Sequence, residues 1–280
     1  MPKRTRDTTG SNTYRFFVDP GAIHGDRVHL ADPELAHQIG GVLRLGPGDH
    51  IVLLDGLGAQ YVVLLEQVDR RGTVAGAVER RESALEIEPR TQITLYLPLI
   101  RPERFEWALQ KGVELGATAF VPTLCAHSIS EGGPPAKKLE RWRKILREAA
   151  EQSRRGRLPL LEQPCTFAEA CARASGTTAL LLWEGAGIPS LRDILRRSLA
   201  DKRPTSNEQR LDLDPQDSRL ITQHSFSLLS GPEGGLSDHE RQTAADHGII
   251  SVSLGPRTLR AETAPIVAAA AVLYEMGDLS

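Results

Sequence analysis

The sequence predicts an α/β protein in two parts, a small all-β region up to about residue 88 and then a parallel α/β sheet. Three observations carry this. Residues 14–80 break into short β-prone runs with glycine or aspartate at their joints. Beyond Pro89, strand-like apolar runs alternate with amphipathic helical ones, the pattern of a parallel sheet with crossover helices. The composition, 40% hydrophobic and 25% charged over 280 residues, suits a soluble globular chain with room for one large domain or two ordinary ones. No apolar run approaches the length that spans a bilayer, so no membrane partner is expected.

Residues 1–13 are basic and polar without the apolar centre of a secretory signal, and read as a disordered tail on a cytoplasmic protein. Over 14–88, YRFFV, RVHL, HIVLLDG, AQYVVLLEQVD and GTVAGAVER are the strands of a small β-barrel or half-barrel. One helix interrupts them at 32–44, with Asp32 as N-cap and Pro33 at the first helical position. In the second domain, 89–280, QITLYLPLI is a buried strand. Residues 102–117 form an amphipathic helix with Phe105, Leu109, Val113 and Leu115 near one side. AFVPTLC is a strand, and a long helix from Pro135 follows with Trp142, Ile145, Leu146 and Ala149 on its apolar face. Then come FAEACARAS (helix), TALLLWEG (strand), IPSLRDILRRSL (helix), SFSLLSG (strand), DHERQTAADHG (helix), IISVSLG (strand) and ETAPIVAAAAVLYEMG (helix). Residues 201–218, polar and proline-bearing, read as an exposed mobile loop.

Cys125, Cys165 and Cys171 form no CxxC pair, so neither a metal site nor a disulfide framework is expected; free, half-buried thiols in a reducing compartment are. The net charge of −2 does not advertise nucleic-acid binding, but its distribution does more. Residues 137–157 are dense in Lys and Arg, opposed only by Glu140, Glu148 and Glu151. A neutral total can hide a basic face.

In an open α/β sheet, ligands bind beyond the carboxyl ends of the strands. Three strand ends are therefore candidate site edges: TALLLWEGAG, SFSLLSGPEGG and IISVSLGPRTLRAET. In the second, Gly231, Gly234 and Gly235 let backbone approach a ligand, and Ser237 with Glu240 is a capping box that starts a helix. A glycine turn before a helix usually suggests phosphate. Here GxxxxGK[ST] and GxGxxG are both missing, and Glu233 would repel a polyphosphate. S-adenosylmethionine fits better, with hydroxyls and amides to satisfy and a cationic sulfonium; a plain β-to-α connection is the rival reading. The third end carries Gly255, Pro256, Arg257 and Arg260, then Glu262 and Thr263 at a helix start, with Thr263 as a candidate cap. Its arginines suit a phosphate or base-edge contact, or an ion pair of Arg260 with Glu262 or Glu233.

LLSGPEGGLSDHE followed by LGPRTLRAETAPIVAAAAVLYEMGDL resembles the C-terminal signature of the RsmE family, SPOUT-class enzymes that methylate N3 of a uridine in 16S ribosomal RNA. RFEWALQKGVELGATAFVP, RWRKILREAAEQSRRGRLPLL, RFFV and HQIGGVLRLGPGD resemble further family segments in the right order, so the likeness covers nearly the whole chain. It implies a SPOUT-type parallel sheet with a C-terminal trefoil knot, a PUA-like RNA-binding β-barrel before it, a homodimer, and 16S rRNA or the 30S subunit as partner. It places the cofactor against Leu182, Glu184 and Gly185, against Ser230, Gly231, Glu233, Gly234 and Gly235, and against Leu254, Gly255, Leu259 and Arg260.

Arg260 and Glu262 are the catalytic candidates. Arg260 would stabilise charge on a uracil oxygen or hold its phosphate, and Glu262 or Glu233 would accept the N3 proton or neighbour the sulfonium. Arg15 and Arg44 in the β-domain, with Arg154 and Arg155 on the long helix, are the RNA-binding candidates, and His37 is a weaker one. CAHSIS (125–130) departs from the family pattern, and 201–218 is longer than usual. Methylation of another RNA or of a ribose 2′-OH, a silent assembly factor, and a nucleotide-binding α/β enzyme are the alternatives.

Overall fold

The computed structural model describes residues 13–69, 72–129, 133–185, 187–201 and 224–279, except the side chains of 198–201. The expected tail and the expected loop at 201–218 lie outside these residues, but for Thr13 and the backbone of Asp201. The chain divides into two compact units, residues 1–88 with 150–158, and residues 89–149 with 159–280.

The first unit is built on a six-stranded sheet. Its strands are β1 (Arg15–Phe17), β2 (Ile23–His24), β3 (Arg27–Leu30), β4 (His50–Leu54), β5 (Ala59–Asp69) and β6 (Thr73–Ser83), in the order β1-β4-β5-β6-β3-β2. All neighbours are antiparallel except β1 and β4. Alternate residues such as Phe16, Val28, Leu30, Ile51, Leu53, Val63 and Leu65 point into one apolar core, as a period of two requires. Gly76 is obligatory, because a Cβ there would stand 2.4 Å from the Leu64 carbonyl oxygen. Between β3 and β4, helix α1 (Pro33–His37) starts as the sequence predicts: Asp32 accepts from the Glu34 and Leu35 amides at 2.9 and 3.1 Å. It then widens into a π turn, Gln38–Val42, over the paired glycines.

Residues 150–158, placed by the sequence with the α/β part, cluster with this first unit. Two contacts fix them there. Gly156 sits where a Cβ would lie 2.4 Å from the Ala84 carbonyl oxygen. The buried Glu88 carboxylate accepts from Arg155 Nη2 at 2.7 Å and from the Gly156 and Arg157 amides at 2.9 and 3.1 Å.

The second unit is a seven-stranded, all-parallel sheet. In chain order it runs β7 (Thr91–Pro98), α2 (Pro102–Leu115), β8 (Ala119–Leu124), α3 (Ala136–Gln152, whose last turn joins the first unit), β9 (Leu160–Leu161), β10 (Cys165–Thr166), α4 (Phe167–Ala174), β11 (Thr178–Leu182), α5 (Leu191–Asp201), β12 (His224–Ser230), α6 (Asp238–Asp246), β13 (Ile250–Val252) and α7 (Thr263–Met276). The spatial order is β10-β8-β7-β12-β11-β13, with β9 also on β8. One face carries Tyr96, Val121, Leu181 and Leu229 against α4 and α6. The other carries Leu95 and Phe120 against α2, so closely that a Cβ on Gly112 would meet the Phe120 ring at 2.6 Å. The three cysteines are free and buried, deeper than expected; burial pushes the Cys171 thiol up to about 11 and Cys125 higher still. No described helix is long and apolar enough to cross a membrane.

Candidate active site

Because the sheet is parallel, all its strands deliver their C-terminal loops to one edge. Three of these strands are adjacent and end level: Leu182 of β11 pairs with Ser230 of β12 and Val252 of β13. The loops that follow enclose a cavity of ≈ 340 Å³. That is at the lower end of the roughly 300–1,000 Å³ common for small-molecule sites.

The β12 loop is shaped by its glycines. Gly235 has φ +73°, and its amide closes a turn onto the Pro232 carbonyl at 2.9 Å. The predicted capping box is present: Ser237 Oγ accepts from the Glu240 amide at 3.2 Å, and Glu240 Oε2 accepts from the Ser237 amide at 2.8 Å. The second Glu240 oxygen accepts from the Ala126 amide at 2.8 Å, and His127 Nδ1 lies 3.0 Å from the Gly235 carbonyl. The atypical CAHSIS stretch therefore braces the glycine turn. Gly234 is part of that brace, with space for a Cβ only 2.9 Å from His127 Cβ, and does not line the cavity.

The β11 loop places Leu182 and Glu184 in the wall. Gly185 is not in the wall; it makes room for the Trp183 ring, which a Cβ would meet at 2.5 Å. Trp183 does line the cavity, and the Arg241 guanidinium stacks 4.4 Å from its ring centre.

In the β13 loop, Gly255 turns the chain at φ +109° and its amide donates to Ser253 Oγ at 3.2 Å. Leu254, Gly255, Leu259 and Arg260 line the cavity, as do Ser230, Gly231, Glu233 and Gly235 of the β12 loop. Thr263 is not the helix cap. It is the first helical residue of α7, and its amide and that of Ala264 donate to the Arg260 carbonyl at 2.9 and 3.0 Å. Glu262 occupies the cap position but makes no side-chain cap bond, because its carboxylate is turned toward arginines instead.

Those arginines differ from the expected pair. Arg260 Nη1 is only at the 4.0 Å limit from Glu262 Oε1, and its side chain is 75% exposed. Arg104, on the first turn of α2, is nearer to both candidate carboxylates: Nη1 donates to Glu233 Oε1 at 2.9 Å, and Nε lies 3.7 Å from Glu262 Oε1. Glu262 is buried, and its Oε2 has no hydrogen-bond partner. It is not itself a wall residue, although Arg260, Ala261 and Ala264 around it are. Sequence reasoning missed Arg104. The available signal was a fourth strand end, LPLIRPER, following the strand that pairs with β12.

In the first unit, Arg15 Nη1 donates to Gln60 Oε1 at 2.7 Å. Burial, and then the nearby Arg154 charge, lower its pKa from the ordinary arginine value. Arg154 is exposed in a left-handed conformation, φ +62°. It ends α3 as a Schellman motif, with the Arg155 amide on the Ala150 carbonyl and the Arg154 amide on the Glu151 carbonyl. Arg44 is likewise exposed at φ +57°, and His37 is exposed with its ring against Gly41. Arg155 is a correction. Its side chain is 5% exposed and committed to Glu88, so it faces the interior and not RNA. The spacing that put it beside Arg154 on a helix fails because the helix has already ended at Gln152.

Among the described residues, no group of three or more His, Cys, Asp or Glu could hold a metal ion. The chain is 35% identical over 262 residues to the Ribosomal RNA small subunit methyltransferase E of Synechocystis sp., covering 92% of this chain and 77% of the relative. It is 30% identical over 244 residues to the protein of the same name from Bacillus subtilis, covering 86% and 88%. The crystal structure of Ribosomal RNA small subunit methyltransferase E from Neisseria gonorrhoeae bound to S-adenosyl methionine superposes with a TM-score of 0.74 at 29% identity, covering 93% of this chain and 96% of that one. Residues 87–273 match the family described as RNA methyltransferase domain, and with these relatives the chain belongs to that family.

Proposed function

We propose that the protein is an S-adenosylmethionine-dependent methyltransferase acting on N3 of a uridine in small-subunit ribosomal RNA. The observation that carries this is the cavity that three adjacent strand-end loops share, in a chain that resembles a cofactor-bound relative over nearly its whole length. The residues fit the cofactor. Gly231, Gly235 and Gly255 bring bare backbone to the wall, and Glu184 and Glu233 suit a cation where they would oppose a polyphosphate. Leu182, Leu254 and Leu259 supply apolar surface. Gly185 and Gly234 support the walls from behind.

When bound, the cofactor supplies an electrophilic methyl group. Held by Gly231, Gly235, Gly255, Glu184 and Glu233, it would present that methyl group on a sulfonium, which would be a good leaving group toward uracil N3. The chain's own residues must hold the base against that methyl group, accept the N3 proton and stabilise charge on the uracil oxygens. Glu262, buried with an idle oxygen, is the proton acceptor in this reading, and Arg260, exposed at the rim, meets the uracil or its phosphate. Arg15, Arg44 and Arg154 hold RNA backbone in a PUA-like first unit, with the target base splayed from its stack. A trefoil knot is supported by the strand order, in which β12 inserts between β7 and β11 while β13 flanks β11 outside. A homodimer is supported by exposed Trp107 on α2 and Val267 and Tyr274 on α7, two helices that pack on each other. Free, buried thiols suit the cytoplasm.

The test is direct. Calorimetric titration with S-adenosylmethionine gives saturable binding that a Gly235→Val variant, strained at φ +73°, loses. Treated 30S RNA, digested to nucleosides, contains 3-methyluridine by mass spectrometry. No cofactor binding, or a methyl group on another atom, refutes the assignment.

A further inference from the structure

The Glu262 carboxylate poses a problem that its own loop does not solve. Its residue is 8% exposed and its Oε2 is buried without a donor, a costly arrangement for an ionised group. The other oxygen, Oε1, faces two guanidinium groups. One belongs to Arg260, whose side chain is three-quarters exposed and stands at the 4.0 Å limit of an ion pair. The other belongs to Arg104, and Arg104 is anchored. Pro102 starts its helix, and the Arg104 amide donates to the Arg101 carbonyl at 3.1 Å. The next residue, Phe105, is 1% exposed and lies 4.2 Å from the buried Trp142 ring, centre to centre. The same guanidinium also binds Glu233 at 2.9 Å. One cation on an anchored helix thus hydrogen-bonds a carboxylate from the β12 loop and stands at ion-pair distance, 3.7 Å, from a carboxylate of the β13 loop.

From this geometry we infer that Arg104 is the positioning residue of the transfer step: its charge holds Oε1 of Glu262 at 3.7 Å and so leaves the buried Oε2 without a donor, as the acceptor for the proton of the target base. The inference rests on the methyltransferase reading above. The planar, forked guanidinium is suited to the task, since it can donate to one carboxylate from one edge and face a second with its charge from another. A lysine at 104 keeps the charge but, as a point donor, serves one carboxylate at a time. Arg104 acts through Glu262, so removing it after Glu262 has been neutralised changes little. An arginine that only supports the fold, or that only binds cofactor, has no reason to behave so.

The experiment is a double-mutant cycle in the full-length protein with S-adenosylmethionine and 30S subunits. It compares wild type with Arg104→Gln, Glu262→Gln and the pair, and adds Arg104→Lys. Cofactor affinity by calorimetry and thermal melting accompany kcat. Glu262→Gln lowers kcat by about 100-fold, the lower end of general-base contributions. Arg104→Gln lowers it by about 10-fold or more while cofactor affinity stays within about threefold, and the double variant is no slower than Glu262→Gln alone. Arg104→Lys recovers part of the loss, and it carries the test if Arg104→Gln does not fold: reduced kcat at unchanged cofactor affinity supports the inference, and a wild-type kcat overturns it. Multiplicative losses in the double variant overturn it as well, as does a loss in Arg104→Gln that appears wholly in cofactor affinity. Full activity of Glu262→Gln overturns both the proton-acceptor role and the inference. A wild type that binds no cofactor removes the methyltransferase reading itself, and the inference falls with it.

Discussion

Three arginines at the end of α3 show how far a residue's type is from its role. Arg154, Arg155 and Arg157 stand in one basic run, and from sequence all read as a charged face. The structure separates the first two by one helix ending. Arg154 adopts the left-handed conformation that terminates the helix, which costs a non-glycine residue about 1–2 kcal/mol. Arg155 is thereby swung inward onto Glu88, with both side chains less than a tenth exposed. The two positions should therefore respond in opposite ways. Arg155→Ala strands a buried carboxylate and should cost about 3–5 kcal/mol in urea denaturation. Arg154→Gly relieves the backbone and should stabilise by about 1 kcal/mol, while it removes a cation from the surface proposed to face RNA. An Arg155→Ala variant of wild-type stability would return Arg155 to the surface role that the sequence suggests.

The elements were the most legible part of the molecule, and the reasons are physical. Helices α2, α3, α4 and α6 carry apolar positions at helical spacing or a capping box, signals contained within a dozen residues. Strands β9 and β10 are two residues each, too short for any periodicity to mark them in the sequence. The order of the central strands is not local information at all: β12 lies beside β7 because of crossovers that no window of sequence contains. The same divide runs through the site. The glycine-bearing loops after β11, β12 and β13 announced themselves, because positive φ and close backbone approach demand particular residues. Arg104 did not, since an arginine in a helix's first turn looks like any solvated charge until β7 is known to neighbour β12. Packing at this scale is testable at Gly112. Alanine has the better helix propensity by about 1 kcal/mol, but here its methyl would stand 2.6 Å from the Phe120 ring and 3.0 Å from Leu95 Cδ1. Both belong to a close-packed core, and overpacking typically costs about 1–3 kcal/mol. Gly112→Ala should therefore lower the urea midpoint at unchanged slope; a raised midpoint would mean the ring yields freely.

At the scale of the whole molecule, the net charge of −2 hides a division of labour. The cofactor candidates all lie in the second compact unit, whereas Arg15, Arg44 and Arg154 lie in the first. Arg15 and Arg154 are close enough for each to feel the other's charge, and like charges held together lower their mutual repulsion when an anion joins them. An RNA phosphate is such an anion. Removal of these cations should therefore weaken RNA binding through electrostatics alone. Arg15→Ala and Arg44→Ala should each lower affinity for the RNA, and each should flatten the dependence of log K on log salt by about 0.7 per lost phosphate contact on a single strand. Calorimetric affinity for S-adenosylmethionine should stay at the wild-type value in both, because neither residue belongs to the unit that carries the cavity. Equal loss of cofactor and RNA affinity would mean that the two units do not hold separate functions. An unchanged salt slope with weaker RNA binding would mean that the arginines contact bases or shape the fold, and that the phosphate-holding surface must be sought elsewhere.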